Sequence, residues 1–236
     1  MDNVQLNSWI DKLMQFGLTR QAATIYLCLL RNQEMSGYEV SKMTGISRSN
    51  VYSALAGLVE NGAAYLLEGA TSKYIAVSLD EFCQNKIRYM TTLKQDLIEN
   101  MPRMDVNCEG YITISSHRHI MDKIYNMLVN IEYRAYISMP IMYLEVFRPQ
   151  LQELIDKGKK IVLLIDKQLD MPIDGSIVYV REKADNQLRL IVDSTQVLTG
   201  EMTGAETDSA LYCAQKNFVN VFKDSLRNEI RLIELT

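Results

Sequence analysis

The sequence has little of what metal, redox and secreted proteins usually need. Its four cysteines are widely separated and form no C-x-x-C pair, which argues against a zinc knuckle or redox motif and favours reduced thiols. There are only two histidines, His117 and His119, and Asp122 is the only acidic residue close to them in sequence. A metal pair needs further ligands, so polar residues in the first turn of a helix are the simpler interpretation. We expect no metal and no cofactor.

Long hydrophobic runs and an excess of basic charge are absent as well. No apolar run approaches the roughly 20 residues needed to cross a bilayer, and the N-terminal stretch lacks the apolar core of a signal peptide. We therefore expect a cytoplasmic protein without membrane contact. The net charge is −4 over 236 residues, so any contact with nucleic acid must be local. No P-loop, G-x-S-x-G or Gly-rich dinucleotide turn occurs.

The chain separates into three segments by pattern. Residues 1–79 are rich in helical periodicity and end in a hairpin pattern, residues 80–104 form one polar helix with an apolar stripe, and residues 105–236 alternate strand and helix patterns. Proline is nearly absent before Pro102, which marks a plausible boundary. The overall class is therefore α+β.

Capping signals divide the first segment into helices. Thr19 is a good N-cap for the run that follows it, and Ser36 and Glu39 form an S-x-x-E capping box. Gly45 can adopt the positive φ of a sharp turn, and Ser47 caps the next helix. Apolar residues at helical spacing form the buried side of that helix: Val51, Leu55 and Leu58.

Helix, sharp turn, helix and β-ribbon is the order of a winged helix-turn-helix. In such motifs the second helix enters the DNA major groove with its N-terminal residues toward the base edges. Arginine can bind guanine, asparagine can bind adenine, and hydroxyl groups can contact phosphates. The candidate DNA-binding residues are Ser47, Arg48, Ser49, Asn50, Tyr52, Ser53, Lys42 and Lys73. Charge in this region is balanced, however, so a winged helix that binds protein instead of DNA is the alternative.

These residues resemble a known family. "FGLTRQAATIYLCLL" and "SGYEVSKMTGISRSNVYSALAGLVENGAAYLLEGATSKYIAV" look like the N-terminal domain of TrmB-type transcriptional regulators. The resemblance implies a winged-helix repressor or activator that is usually homodimeric and often responds to a sugar. Family wings typically contain a basic residue and a proline, whereas the wing "EGATSKY" has only Lys73.

The middle segment carries an apolar stripe at helical spacing. The stripe comprises Cys83, Ile87, Met90, Leu93, Leu97 and Met101. This spacing is compatible with a dimeric coiled coil of about three heptads. A two-fold dimer could place two recognition helices one DNA turn apart, about 34 Å. Packing of the stripe on the chain's own C-terminal domain is the alternative.

The last segment predicts seven strands with helices between them, which indicates an α/β layered structure. Its order resembles a phospholipase D-like unit, the effector domain of TrmB-type regulators. The motif of that superfamily contains His, Lys, Asp and Gly at fixed spacing. Asp193 and Gly200 match it, but Asn186 stands at the His position and Leu188 at the Lys position.

This departure predicts a protein that is not an enzyme. Hydrolysis of phosphodiesters in that superfamily uses the His as nucleophile and the Lys to stabilise phosphate charge, and neither Asn nor Leu can do so. A degenerate site used as an effector pocket or dimer surface is the hypothesis, with Asn186, Asp193 and Glu201 as candidate effector-binding residues. An acidic loop with Asp166 follows one strand, and a solvated loop is its simpler interpretation.

The sequence therefore predicts a homodimeric, DNA-binding transcriptional regulator whose C-terminal domain binds a small molecule, for which the family resemblance implies a sugar. Its partners would be double-stranded DNA, a second copy of the chain and the effector. The alternative is a winged-helix adaptor that binds proteins and touches DNA weakly or not at all. An active phosphodiesterase is disfavoured by Asn186 and Leu188.

Overall fold

The computed structural model describes residues 3–102, 110–167, 169–181 and 186–235. The chain forms two compact units, one before and one after residue 104. Among the described residues, no helix is both long enough and apolar enough to cross a bilayer. Cys108, one of the four cysteines, lies outside the described residues.

The N-terminal unit contains five helices and a small sheet within its described residues. The helices are α1 (Asn3–Gln15), α2 (Arg20–Arg31), α3 (Gly37–Thr44), α4 (Arg48–Glu60) and α5 (Leu79–Asn100). The strands are β1 (Met35–Ser36), β2 (Ala64–Leu67) and β3 (Lys73–Ala76). They form an antiparallel sheet in the order β1-β3-β2. The hairpin of β2 and β3 was predicted, whereas the short strand β1 was not.

Local capping interactions fix the helix boundaries. The Thr19 side chain accepts a hydrogen bond from the Ala22 backbone N–H, and Ser36 and Glu39 form the full capping box. Gly45 has φ = +71° and ends α3 in the left-handed conformation that its lack of Cβ permits. Ser47 occupies the N-cap position of α4, but its side chain makes no capping hydrogen bond, so the prediction is right in position only.

One hydrophobic core holds this unit together. The predicted Val51, Leu55 and Leu58 are fully buried and pack with residues from α2 and α3. Tyr26 is fully buried as well, and its hydroxyl donates to the Val77 carbonyl at 2.9 Å. Burial, with a smaller contribution from Cys83, raises the pKa of Tyr26 to about 12. The core therefore determines which side of α4 remains at the surface.

The long helix α5 carries the predicted apolar stripe on its surface. Ser78 caps the helix, and Phe82 is its only buried residue among those described. Ile87, Met90, Leu93 and Leu97 are all exposed. Met101 lies just past the helix as its C-cap, so the helical part of the stripe is one position shorter than predicted.

The C-terminal unit is built on a seven-stranded sheet. Its strands are β4 (Ile112–Ser115), β5 (Arg134–Ser138), β6 (Lys160–Ile165), β7 (Ile177–Val180), β8 (Gln187–Val192), β9 (Gln196–Glu201) and β10 (Ser209–Cys213). The order is β4-β10-β9-β8-β5-β6-β7. Strands β5, β6 and β7 are parallel, and the other pairs are antiparallel. All seven strands lie where the sequence predicted them.

Helices cover the two faces of this sheet. They are α6 (His117–Val129), α7 (Ile141–Leu144), α8 (Arg148–Asp156) and α9 (Lys216–Glu234), with a 3₁₀ turn at Glu145–Phe147. This turn separates α7 from α8, and Pro149 lies in the first turn of α8. One core packs α6, α7 and α8 on one face of the sheet. A smaller core packs α9 on the other face.

Asp193 fixes the turn between β8 and β9. Its φ is +50°, and its carboxylate accepts hydrogen bonds from the backbone N–H groups of Glu132, Tyr133 and Arg134, each at 2.8 Å. Burial alone would raise the pKa of Asp193. The three backbone hydrogen bonds and the charge of Lys159 outweigh burial, and they hold this pKa below its ordinary value. The ionised carboxylate thus ties the β8–β9 turn to the start of β5.

Replacement of Asp193 by Asn should lower the free energy of unfolding by about 1–3 kcal/mol at neutral pH, because an NH₂ group then faces a backbone donor. The lowered pKa means that the stabilisation exists above the ordinary pKa of Asp and is lost as the pH falls through the folded-state value. Urea unfolding at neutral and acidic pH measures both effects. The exposed Asp174→Asn is the control, and equal stability of the two variants would contradict the assigned role.

Candidate nucleic-acid interface and C-terminal site

The N-terminal end of α4 presents a polar, exposed surface. Ser47, Arg48, Ser49, Asn50, Tyr52 and Ser53 are all exposed. The buried side of the same helix, with Val51 and Leu55, faces the core. The packing of α4 therefore projects its small hydrophilic residues away from the protein, as a groove-binding helix requires.

Two tyrosines shape this surface, and one of them was not predicted. The guanidinium of Arg48 lies 4.6 Å from the ring centroid of Tyr38 on α3, which is a cation–π contact. Tyr38 is 53% exposed, so the Arg48–Tyr38 pair remains accessible. The ring of Tyr52 packs over Gly37, where an added Cβ would lie 2.5 Å from a ring carbon. The sequence feature that could have indicated this residue is its position inside the capping box, between Ser36 and Glu39.

Asn50 and Ser53 lie on a different side of α4 from Arg48. They line a groove of about 270 Å³ between α4 and the start of α2. Thr19 and Gln21 form the opposite wall, and neither was predicted as a site residue. The N-terminus of α2, an end of a helix that favours negative charge, also borders this groove.

The two lysines predicted to bind DNA, Lys42 and Lys73, differ in their ion pairing. Lys73 of the wing forms an ion pair with Glu34 at 2.5 Å, and this hydrogen bond and charge raise its pKa. The wing lysine is therefore already matched by an acidic partner. Lys42 on α3 is exposed and makes no ion pair within the described residues.

One position of the degenerate motif in the C-terminal unit is occupied by a buried apolar side chain. Leu188, at the Lys position, is fully buried in the core beneath α6 and α8. Met202 is buried in the same core, and its backbone N–H donates to the Asn186 carbonyl at 2.7 Å. Apolar side chains thus occupy space in which a catalytic lysine would need to reach solvent.

The three candidate effector-binding residues do not meet in one site. Asn186 and Glu201 lie near each other, because Gln187 pairs with Glu201 at the start of β8. Asp193 follows the other end of β8, about 23 Å away at roughly 3.3 Å per residue. Its carboxylate is also bound to three backbone N–H groups. The grouping of Asp193 with Asn186 and Glu201 was therefore wrong, because the strand between them is extended.

Glu201 instead borders a polar cavity of about 470 Å³. Residues 187, 199–201, 203 and 207–211 line it. No lysine or arginine lines this cavity among the described residues.

His117 has a specific partner at the edge of this cavity. Its Nδ1 lies 3.1 Å from the Asp208 carboxylate, which also accepts from Thr203 and the Gly204 N–H. Burial alone would raise the pKa of Asp208, but the hydrogen bonds from Thr203, Gly204 and His117 lower it. His119 bonds the Ser115 carbonyl instead. No group of three potential metal ligands exists within the part of the chain that the structure describes.

Two family models match the chain. Residues 13–80 match the model of the sugar-specific transcriptional regulator TrmB, and residues 110–230 match the N-terminal subdomain of the TrmB effector-binding domain. Among curated proteins, YrhO of Bacillus subtilis, described as uncharacterized, is 20% identical over 96% of this chain and 86% of its own length. The sugar-sensing regulator TrmBL1 of Pyrococcus furiosus is 24% identical over 70% of this chain, which corresponds to 49% of TrmBL1.

Solved structures with a similar fold include TrmBL2, an archaeal chromatin protein. It aligns with 96% of this chain and 98% of its own at 17% identity and a TM-score of 0.46. NucT from Helicobacter pylori covers 52% of this chain and 96% of its own at 10% identity and a TM-score of 0.42. The predicted α+β class, with a winged helix-turn-helix and a long helix followed by an α/β unit, is confirmed by the order of the helices and strands. With a family model over residues 110–230, more than half of its length, the chain belongs to the TrmB family of transcriptional regulators.

Proposed function

We propose that the protein is a homodimeric transcriptional regulator that binds double-stranded DNA with α4 and responds to a small molecule through its C-terminal unit. The observation that carries the proposal is the exposed polar edge of α4, whose opposite side is locked in the core. The groove between α4 and the start of α2 supports a phosphate contact beside it. Membership in the TrmB family supports the regulatory role.

Within this proposal, Arg48 reads a base and Lys42 contacts phosphate. Arg48 can lie against a guanine while Tyr38 limits the number of conformations that its side chain samples. Lys42 is exposed on the neighbouring helix. Lys73 contributes less, since its charge is shared with Glu34.

The proposed dimer uses the apolar stripe of α5. Ile87, Met90, Leu93 and Leu97 form an exposed apolar face that is unusual for a lone soluble chain. The stripe continues through Cys83 into an apolar groove of about 400 Å³, which is lined mainly by residues of α1, α2 and α5. A second copy would bury both surfaces, and pairing of two copies would present two α4 helices to DNA.

We also propose that the C-terminal unit has no phosphodiesterase activity. Asn186 and Leu188 replace the residues that this chemistry needs, and Leu188 is buried. The chain should therefore show no turnover of bis(p-nitrophenyl) phosphate above the buffer rate, with or without added metal. Turnover that remains in a purified Asn186→Ala, His117→Ala double variant would indicate contamination, whereas turnover lost in that variant would contradict the proposal.

The replacement Arg48→Ala should weaken binding to a duplex selected from a random library by about 1–3 kcal/mol and relax preference at one base position. Lys42→Ala should weaken binding to all duplexes alike and reduce the salt slope by about one. Lys73→Ala is the matched control and should have the smaller effect. Fluorescence anisotropy at several salt concentrations measures all three.

Failure of the unmodified chain to bind any duplex at low salt would contradict the DNA proposal. The balanced charge of the wing, where Lys73 is paired with Glu34, would then favour the protein-binding adaptor. If the replacement Arg48→Ala leaves the specific affinity unchanged, the proposal that α4 enters the major groove is contradicted.

A charge on the α5 stripe should separate the dimer. Leu93→Glu places a carboxylate in the proposed apolar contact, while the half-exposed position leaves the monomer fold intact. We expect a monomer at micromolar concentration by sedimentation equilibrium, against a dimer for the unmodified chain. Thr92→Glu, an exposed position outside the stripe, is the control and should remain dimeric. If both variants remain dimeric, the dimer interface does not lie on the stripe of α5.

A further inference from the structure

A buried polar cluster lies between α9 and the sheet of the C-terminal unit. Ser138, at the end of β5, pairs with Arg189 of β8. Side chains of directly paired residues lie on the same face, about 5 Å apart at Cβ. That face is the one covered by α9, because Tyr136 and Ile191, two residues away from each, belong to the core beneath α9.

Glu229 of α9 is bound to this cluster by an ion pair. The two terminal nitrogens of Arg189 lie 2.8 and 3.3 Å from the two carboxylate oxygens of Glu229. Arg181, which follows β7, lies 3.8 Å from the same carboxylate. The side chain of Arg189 is 14% exposed and that of Glu229 is 26% exposed, so the pair is largely shielded from water.

Glu229 does not satisfy every hydrogen-bonding group of this cluster. Ser138 Oγ and Arg189 Nε are buried and have no hydrogen-bond partner within the described residues, although Ser138 is only 1% exposed. Buried polar atoms are nearly always paired in native proteins, and each exception calls for a physical reason. A carboxylate with two oxygens already engaged by the terminal nitrogens cannot reach these donors as well.

The cluster also lies where α/β proteins bind their ligands. Ser138 ends β5, and Asp166 follows the parallel neighbour β6. Ligand sites in such sheets lie outside the carboxyl ends of the strands. Asp166 is two residues beyond Leu164, which pairs with Ser138, and its buried Oδ1 likewise has no hydrogen-bond partner within the described residues.

We propose that Arg189, Ser138 and Asp166 form a binding site for a phosphate group, which Glu229 occupies in the unliganded chain. A tetrahedral anion has enough oxygens to accept from Arg189 Nε, a terminal nitrogen of Arg189 and Ser138 Oγ together. A protonated phosphate oxygen can also donate to Asp166 Oδ1, which sulfate cannot do because it carries no proton at neutral pH. The site is distinct from the degenerate motif, because Leu188 faces the other core.

Binding of phosphate would weaken the attachment of the end of α9. The helix runs to Glu234, but Val219 and Leu226 are its only buried residues among those described. Beyond Leu226, its contacts include the packing of Ile230 against the core, the ion pairs of Glu229 and the hydrogen bond of Glu234 with Tyr179. Replacement of Glu229 by phosphate therefore removes one of these attachments. This consequence rests on the proposed function, for which it names the effector chemistry.

Isothermal titration of the full chain with inorganic phosphate, at constant ionic strength set by chloride, tests the site. Glu229→Gln removes the internal competitor, so its affinity for phosphate should exceed that of the unmodified chain at least about tenfold. Glu234→Gln, on the same helix but bound to Tyr179, is the control and should match the unmodified chain. Sulfate should bind at least about tenfold more weakly than phosphate, because a charge-assisted hydrogen bond is lost.

Ser138→Ala in the Glu229→Gln background should lower phosphate affinity about tenfold. This variant should remain folded, since the hydroxyl it removes has no hydrogen-bond partner in the part of the chain that the structure describes. Absence of phosphate binding in Glu229→Gln, equal affinity for sulfate, or no effect of Ser138→Ala would overturn the proposal. Titration with glycerol 3-phosphate in place of inorganic phosphate tests whether the site prefers a phosphate ester or free phosphate. Tighter binding of either compound supports the site and identifies the source of the phosphate group.

Operator binding measured with and without phosphate separates this site from the proposed function. A chain that binds phosphate but no duplex keeps the site and loses the regulator. A chain that binds its operator but no phosphate keeps the regulator and overturns the site. In the supporting case, phosphate changes operator affinity in the unmodified chain, and Ser138→Ala needs about tenfold more phosphate for the same change.

Discussion

The packing of α4 on α2 and α3 is the constraint on which the candidate interface depends. Val51, Leu55 and Leu58 are completely buried, and complete burial of one such side chain contributes about 1.5–3 kcal/mol. Rotation of α4 would expose this apolar face, so the helix has one stable orientation. The polar residues that alternate with these three positions must then face outward. The core that stabilises the unit therefore also keeps Arg48 and Tyr52 exposed at the surface.

The C-terminal unit uses strand alternation in a corresponding way. Leu188 and Leu190 contribute to the core beneath α6 and α8, while Arg189 and Ile191 lie beneath α9. Leu188 is thus part of the first core. The opposite face carries the buried polar residues Ser138 and Arg189 beneath α9. An apolar core on one face of a sheet is therefore compatible with a polar cluster on its other face.

Most of the fold could be predicted from the sequence because its signals are local. The Ser36–Glu39 capping box spans three residues, and each strand of the large sheet has a short apolar pattern with turn residues beside it. Several interactions that the sequence did not reveal join residues far apart along the chain. Asp193 contacts residues about 60 positions away, and His117 contacts Asp208, 91 positions away. Spacing within one motif carries no information about such pairs.

The distribution of charge connects the proposed dimer with the proposed DNA contact. In each copy Arg48 lies on α4 and Lys42 on α3, and the wing lysine is paired with Glu34. Since affinity for a duplex rises steeply with the number of neutralised phosphates, one copy with these two cations among the described residues of the candidate interface would have little nonspecific attraction. In the proposed dimer, two copies joined through α5 would double those contacts and make the second contact intramolecular. Specificity would then come from two weak sites held at one spacing, and a change in that spacing would be sufficient to release DNA.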